Sequence, residues 1–212
     1  MAKRSIASNI TITPSKGSGD TNISVKAASV HTGRVARIQE SIAQVVGGIN
    51  TVKLTTVETA KPLFVEFDTE SPTIGKDGGV LKITGKSNAA KLNFTISAGA
   101  TIPITTPTSY KANSVATNNN VAITGDPGAS NEYPFEVEFN IPDNKTVDVL
   151  SASLIVTPDD TPASAKTASI TQTAGNPYLY INENGTTEYT INLDQDGSAK
   201  TVSIISNTNW TF

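Results

Sequence analysis

The sequence predicts an all-β protein made of small β-sandwich modules in tandem. Three observations predict it. Period-two alternation of apolar and polar residues dominates, most cleanly in Phe135-Glu136-Val137-Glu138-Phe139-Asn140-Ile141. Turn residues, above all Asp-Gly, Gly-Gly and Ser-Asn, separate the alternating stretches. The pattern also repeats. GKDGGVLKITGKSNAAKLNFT at 75–95 and DQDGSAKTVSIISNTNWTF at 194–212 share an Asp-Gly turn, an alternating strand, a Ser-Asn turn and an aromatic strand. VKLTTVETAKPLFVEF at 52–67 and ASITQTAGNPYLYIN at 168–182 share a closing strand and the opening of the next. Self-similarity at this scale marks a string of domains. The expected boundaries are an N-terminal arm at 1–8, a first sandwich at 9–61, an enlarged second sandwich at 62–175 and an incomplete third at 176–212.

Taken in order, Asn9 to Thr13 alternates and stops at Pro14, and Ser15 to Asp20 is a turn cluster. Asn22 to Lys26 is the next strand, and His31-Thr32-Gly33-Arg34 a turn. In 35–46, Ile38, Ile42, Val45 and Val46 fit a helical stripe. A strand is expected there, because a lone helix would interrupt a small sandwich. Gly47-Gly48 turns the chain into a closing strand from Thr51 to Val57. Leu63 to Phe67 opens the second module, and Lys76-Asp77-Gly78-Gly79 reads as a hairpin turn between strands. Val80 to Thr84 and Leu92 to Ile96 follow as strands. Residues 99–134, rich in Thr, Asn, Gly, Pro and Ser, form an insertion with room for a functional loop or an extra hairpin. Phe135 to Ile141, Val149 to Val156 and Ala168 to Gln172 complete the module. The last segment predicts strands at 178–182, 188–193 and 201–205, and an unfinished Trp210-Thr211-Phe212. Four strands with no mate for their apolar face are not stable alone, so either the natural chain continues past Phe212, which is the simpler reading, or the half-module completes itself against another subunit.

Hydrophobic content is 37% and charged content 17%, both below the usual proportions of about 45–50% and 25%. Thin β-layers with one solvated face fit this shortfall better than one deep core. The net charge of −3 and the absence of a strong Lys/Arg cluster point away from nucleic acid. Arg34 and Arg37 are expected as solvated surface charges. There is no cysteine, so the fold is indifferent to redox compartment. No apolar run approaches the roughly 20 residues of a membrane helix. Met1-Ala2-Lys3-Arg4 is followed by no apolar stretch of the secretory kind. Either a leader has been removed, or the chain is made in a host cytoplasm and released by lysis; the start at Met1 favours the second expectation.

Few residues could carry chemistry. His31 is the single histidine, sits in a turn and has no nucleophile signature nearby. One histidine without cysteine makes a zinc site improbable. Asp194-Gln195-Asp196-Gly197-Ser198 resembles half of a calcium loop but lacks the distal Glu, and an Asp-Gly turn accounts for it. Asp159-Asp160 reads as a polar turn. No Gly-rich phosphate loop follows a strand. The expectation is therefore no enzyme, no metal and no cofactor. Tyr178, Tyr180 and Tyr189 are the candidates for glycan contact by ring stacking, while Trp210 is expected in a sandwich core.

ITPSKGSGDTNISVKAASVHTGRVARIQESIAQVVGGINTVKLTTVE at 12–58, ASITQTAG at 168–175 and SNTNWTF at 206–212 resemble the BACON-like, immunoglobulin-type repeats of Bacteroidetes and their phages. The likeness covers most of the chain outside 99–134. TTVETA departs from the usual Gln-containing close of such repeats, and the second module is enlarged. The resemblance implies immunoglobulin-like sandwiches in tandem. Such modules without an export signal resemble virion proteins of crAss-like gut phages. The implied function is a structural virion protein, a capsid-anchored head fibre or decoration protein. It would be homo-oligomeric, anchored to capsid or other virion proteins through Lys3, Arg4 and Ile6, with distal modules touching host surface glycans. Neither nucleic acid nor membrane is an expected partner. The alternative is a carbohydrate-binding cell-surface module of a Bacteroidetes bacterium.

Overall fold

In a computed structural model of the chain, described for residues 9–48, 50–181, 187–195 and 197–212, the one large hydrophobic core lies between two sheets. Tyr133–Ile141 (β11) shows how the sequence builds it. Its odd-numbered residues are buried and its even-numbered ones face outward, as period-two alternation dictates. The first sheet is ordered β10-β9-β11-β7-β5, from Val115–Asn118 (β10), Ser109–Ala112 (β9), Gly79–Ser87 (β7) and Val65–Phe67 (β5) around β11. The second is ordered β6-β13-β12-β8, from Thr73–Ile74 (β6), Lys166–Gln172 (β13), Leu150–Pro158 (β12) and Leu92–Ile96 (β8). Both sheets are antiparallel except for the parallel pair β6–β13. Ile83, Phe135 and Val137 from one sheet meet Leu92, Phe94, Leu154, Val156 and Ile170 from the other, all buried. The Phe94 and Phe135 rings cross the interface edge-to-face with centroids 5.6 Å apart, a favoured aromatic geometry.

Two expected local turns join different sheets instead. Lys76 to Gly79 is not a hairpin turn, because β6 lies in the second sheet and β7 in the first. Gly78 is required there. Its φ is +68°, and a Cβ would lie 2.2 Å from the Ile141 carbonyl oxygen. Ser87-Asn88 likewise carries the chain from β7 in the first sheet to β8 in the second. The 99–134 insertion supplies the hairpin β9–β10, which extends the first sheet, and a short helix, Pro127–Ser130 (α1), which sequence periodicity did not anticipate.

Outside this sandwich the strands are short ladders. Ile10–Thr13 (β1) pairs with Ser24–Ala27 (β2), and Arg37–Gln44 (β3) with Thr51–Glu58 (β4), as two separate two-stranded sheets. Residues 37–44 are a strand, not a helix. Ile10 is the one buried hydrophobic residue among those described in 9–61. In the last segment Leu179–Ile181 (β14) pairs with Ile204–Ser206 (β15). No strand forms among the described residues of 187–203 or at 210–212. Trp210 is 43% exposed and packs edge-to-face on Phe212 rather than in a core.

Candidate interaction sites

The Ser-Asn corner is the most elaborate polar site on the molecule. Asn88 is fully buried. Its Oδ1 accepts the Phe64 N–H at 3.0 Å, and its Nδ2 donates to the carbonyls of Pro62 (3.1 Å), Lys61 (3.3 Å) and Thr32 (3.3 Å). Ser87 Oγ donates to the Phe64 carbonyl at 2.7 Å and accepts the Ala89 N–H at 3.0 Å. Through Thr32, the corner clasps the segment that carries β1 to β4.

That segment is held further by the turn after His31. Gly33 accepts from Lys61 N at 2.9 Å, Arg34 N and Val35 N donate to the Gly128 and Ala129 carbonyls at 3.0 Å each, and Thr32 Oγ1 accepts from Glu132 N at 2.9 Å. Backbone runs so close to backbone here that a Cβ on Gly33 would lie 2.3 Å from the Ala129 oxygen. Arg34 is therefore not the solvated charge that the sequence suggested. It donates two bonds to Asp126, one of them 2.6 Å, lies 3.8 Å from Asp159 and also bonds the Asn88 carbonyl at 3.1 Å. The bond to Asp126 is the main cause that raises its pKa. Arg37 is similarly removed from solvent in an ion pair with Glu58 at 3.1 Å. Asp159 does more than turn the chain, since its Oδ1 caps Ala90 N and Lys91 N at 2.8 and 2.9 Å. His31 Nε2 bonds the Val35 carbonyl at 2.7 Å.

The same corner recurs at Ser206-Asn207. Asn207 Oδ1 accepts Tyr178 N at 2.9 Å, and Nδ2 donates to the Asn176 and Lys145 carbonyls at 2.9 and 2.7 Å. Ser206 Oγ donates to the Tyr178 carbonyl at 2.9 Å and accepts Thr208 N at 3.1 Å. Gly175 N donates to Thr146 O at 2.7 Å, as Lys61 N does to Gly33 O. The sequence repeat is thus a repeat of hydrogen bonds. The two corners sit at opposite ends of the sandwich. Asn88 follows the last residue of β7, while Asn144 and Thr146 lie near Gly78 at its start, with Asn144 N bonded to Lys76 O at 2.7 Å. Nine residues of β7 span roughly 30 Å at about 3.3 Å each.

Of the residues proposed for glycan contact, Tyr178 and Tyr180 come together, with rings stacked at 5.3 Å and an interplanar angle of 15°. Tyr189 is exposed in the strandless stretch 187–195. Lys3, Arg4 and Ile6, proposed as anchors, lie outside the described residues. Between the two N-terminal ladders runs an apolar groove of about 320 Å³, lined by Ile12, Ile23, Ser41, Ala43, Val52 and Leu54 among others.

Two features limit what the sandwich surface can do. The free edge of β8 is sealed: Leu92 N, Phe94 N and Ile96 N donate to Tyr110 Oη, Asn119 Oδ1 and Thr106 Oγ1, and Asn119 Nδ2 returns to Phe94 O. Such capping removes a strand-pairing template. The outer face of the first sheet carries a charge ladder in which Lys82 and Lys111 share Glu136 and Glu138. Bonds from Lys82 and then Lys111 pull the Glu138 carboxyl down to about 2, and both lysines are raised in return. Burial pushes the Tyr110 hydroxyl up to about 12 and raises Tyr133 in the same direction. Among the described residues no group of three His, Asp or Glu side chains is placed to hold a metal, and no helix is long and apolar enough to cross a membrane. No family model and no curated protein matches the chain.

Proposed function

We propose that this chain is a structural assembly protein, a bacteriophage virion component of the head-fibre or capsid-decoration kind, built from tandem immunoglobulin-like modules. One observation carries the reading. The Ser-Asn corner of the sandwich clasps the preceding unit at one pole, and its copy in the following unit clasps the sandwich at the other pole. A clasp repeated along the chain axis suits an extended rod, whose task is to hold parts at a distance.

The strand order supports the immunoglobulin-like assignment. Lettered in chain order, β5, β7, β8, β9, β11, β12 and β13 are A to G, with β6 a continuation of A and β10 an addition. The sheets are then A-B-E-D and C-F-G, the arrangement of a constant-type immunoglobulin domain. Fold alone assigns no task. The virion reading rests on the clasp together with the resemblance at 12–58, 168–175 and 206–212. Mass spectrometry of purified phage particles from a Bacteroidetes host tests it. Peptides of this chain at stoichiometric copy number are expected. Their absence from particles, with recovery in the bacterial surface fraction, overturns it.

A second reading, a carbohydrate-binding surface module, is favoured by the stacked Tyr178–Tyr180 pair. It requires glycan binding that Tyr178→Ala and Tyr180→Ala abolish.

A further inference from the structure

Residues 9–61 and 176–212 carry ladders that match different parts of the central sandwich. The β3–β4 ladder reproduces β12–β13 pair for pair. Arg37↔Glu58 through Ala43↔Val52 matches Leu150↔Gln172 through Val156↔Lys166. The β1–β2 ladder faces it across the groove, with Ile12 and Ile23 on one side and Ser41, Ala43 and Leu54 on the other. Residues 9–61 therefore carry the later strands of a sandwich and none of its opening ones. At the other end β14–β15 reproduces β5–β7: Leu179↔Ser206 matches Val65↔Ser87, and both pairs lead into the same Ser-Asn corner. Residues 176–212 therefore carry the opening strands.

We propose that residues 176–212 of one copy complete the half-module 9–61 of the next, with Trp210 and Phe212 entering the groove between the two N-terminal ladders. The register of the intact sandwich says where they go. There β8 lies on β12 with Phe94 opposite Val156 and Ile96 opposite Leu154. Aligned on Asn93-Phe94-Thr95 and Asn209-Trp210-Thr211, with Ala89 to Lys91 having no counterpart after the shorter second corner, Trp210 takes the place of Phe94 and Phe212 that of Ile96. Ala43 and Ser41 stand in the places of Val156 and Leu154, and both line the groove. Size compensates at each pair: Val and Leu have shrunk to Ala and Ser where Phe and Ile have grown to Trp and Phe. Packing at interior density makes such compensation necessary.

The apolar surfaces left open agree. Leu179, Trp210 and Phe212 are exposed at one end, and Val52, which lines the groove, at the other. Leu179 and Ile181 match the inward Val65 and Phe67, so they would turn into the completed core, leaving the tyrosine pair outside. One chain cannot join its own ends, because its clasps lie at opposite poles of the sandwich. Two copies can, and the contact is heterologous: it joins different surfaces and propagates head to tail. The inference rests on the register and the groove, not on the virion reading.

Engineered cysteines test it in a chain that has none of its own. Directly opposed residues on antiparallel strands have Cα atoms about 4.5–5.5 Å apart, within disulfide reach. Full-length Ala43→Cys mixed with full-length Trp210→Cys is expected to give an oxidised dimer that neither variant gives alone. Ser41→Cys with Phe212→Cys is expected to do the same. In the unaltered chain, sedimentation coefficient should rise with concentration while emission of the single tryptophan shifts to shorter wavelength. Ala43→Phe should abolish both changes and leave thermal unfolding of the sandwich, followed by far-UV circular dichroism, unmoved. A chain monomeric at every concentration overturns the proposal, as does self-association in which neither cysteine pair cross-links.

Discussion

Replacing Asn88 by Ala is expected to cost the sandwich several times more stability than the same change at Asn207. Asn88→Ala leaves the Phe64 N–H and the carbonyls of Pro62, Lys61 and Thr32 without their side-chain partner. The site is fully buried, so water does not replace what is lost. An orphaned buried donor costs about 1–3 kcal/mol and each further bond about 0.5–1.5 kcal/mol. The three Nδ2 contacts share two protons and count as two bonds, so the sum is about 2–6 kcal/mol. At roughly 3–5 °C per kcal/mol for a domain of this size, the midpoint should fall by about 6–30 °C. Asn207 makes the same bonds, but its Nδ2 contacts lie at the surface, where water substitutes, and about 0.5–1 kcal/mol is expected. Urea unfolding followed by circular dichroism, extrapolated linearly to water, measures both. Equal losses, or a loss below about 1 kcal/mol for Asn88→Ala, would refute the assignment of the corner as a buried polar clasp.

Leu154→Ala, at the centre of the core, should destabilise by about 2–5 kcal/mol in the same assay. Gly128→Ala should cost about 1–3 kcal/mol, because a Cβ there lies 2.2 Å from the Asn88 oxygen; calorimetry reads it directly. Tyr110, with its pKa raised from 10.0 to about 12 by burial, favours the neutral hydroxyl in the folded state. Its contribution is complete below pH 10 and lost as pH rises through about 12. The urea midpoint should fall over that interval, and less steeply in Tyr110→Phe. Glu138, lowered from 4.5 to about 2, contributes above pH 4.5 and loses that contribution as pH falls toward 2. Carbon NMR of its carboxyl should show the low midpoint, and Lys82→Met should raise it.

Strand positions were legible because alternation is a local signal. Ile10–Thr13, Leu92–Ile96 and Tyr133–Ile141 fall where period two places them, whereas Arg37–Gln44 is a strand that its neighbours, not its own periodicity, foretold. Sheet membership was not, because a turn residue does not say whether the next strand returns to its own sheet. Gly78-Gly79 and Ser87-Asn88 look like hairpin turns and are crossovers. The repeat of the Ser-Asn dipeptide was visible, yet its meaning lay in the carbonyls it reaches, of which Thr32 and Lys145 are far away in sequence. Arg34 and Arg37 read as surface charges because their carboxylate partners Asp126 and Glu58 are likewise distant. The Glu of TTVETA at 58, where the second module has Gln172, becomes intelligible with its partner. Gln172 donates to the Pro142 carbonyl at 2.8 Å, whereas Glu58 accepts from Arg37. Trp210 carries a core residue's chemistry on a surface position, which the single chain does not explain and a neighbouring copy does.

Hydrogen exchange of the full chain, read residue by residue at low and high protein concentration, tests the central claim most directly. In dilute solution the slow amides should lie in β7, β8, β11, β12 and β13, with β3, β4 and 204–212 exchanging fast. On concentration, the protection of β3 and of 204–212 should rise together while the sandwich stays unchanged. Amides of β3 already as slow as those of β12 at high dilution would contradict the account, and so would protection that does not change at any concentration.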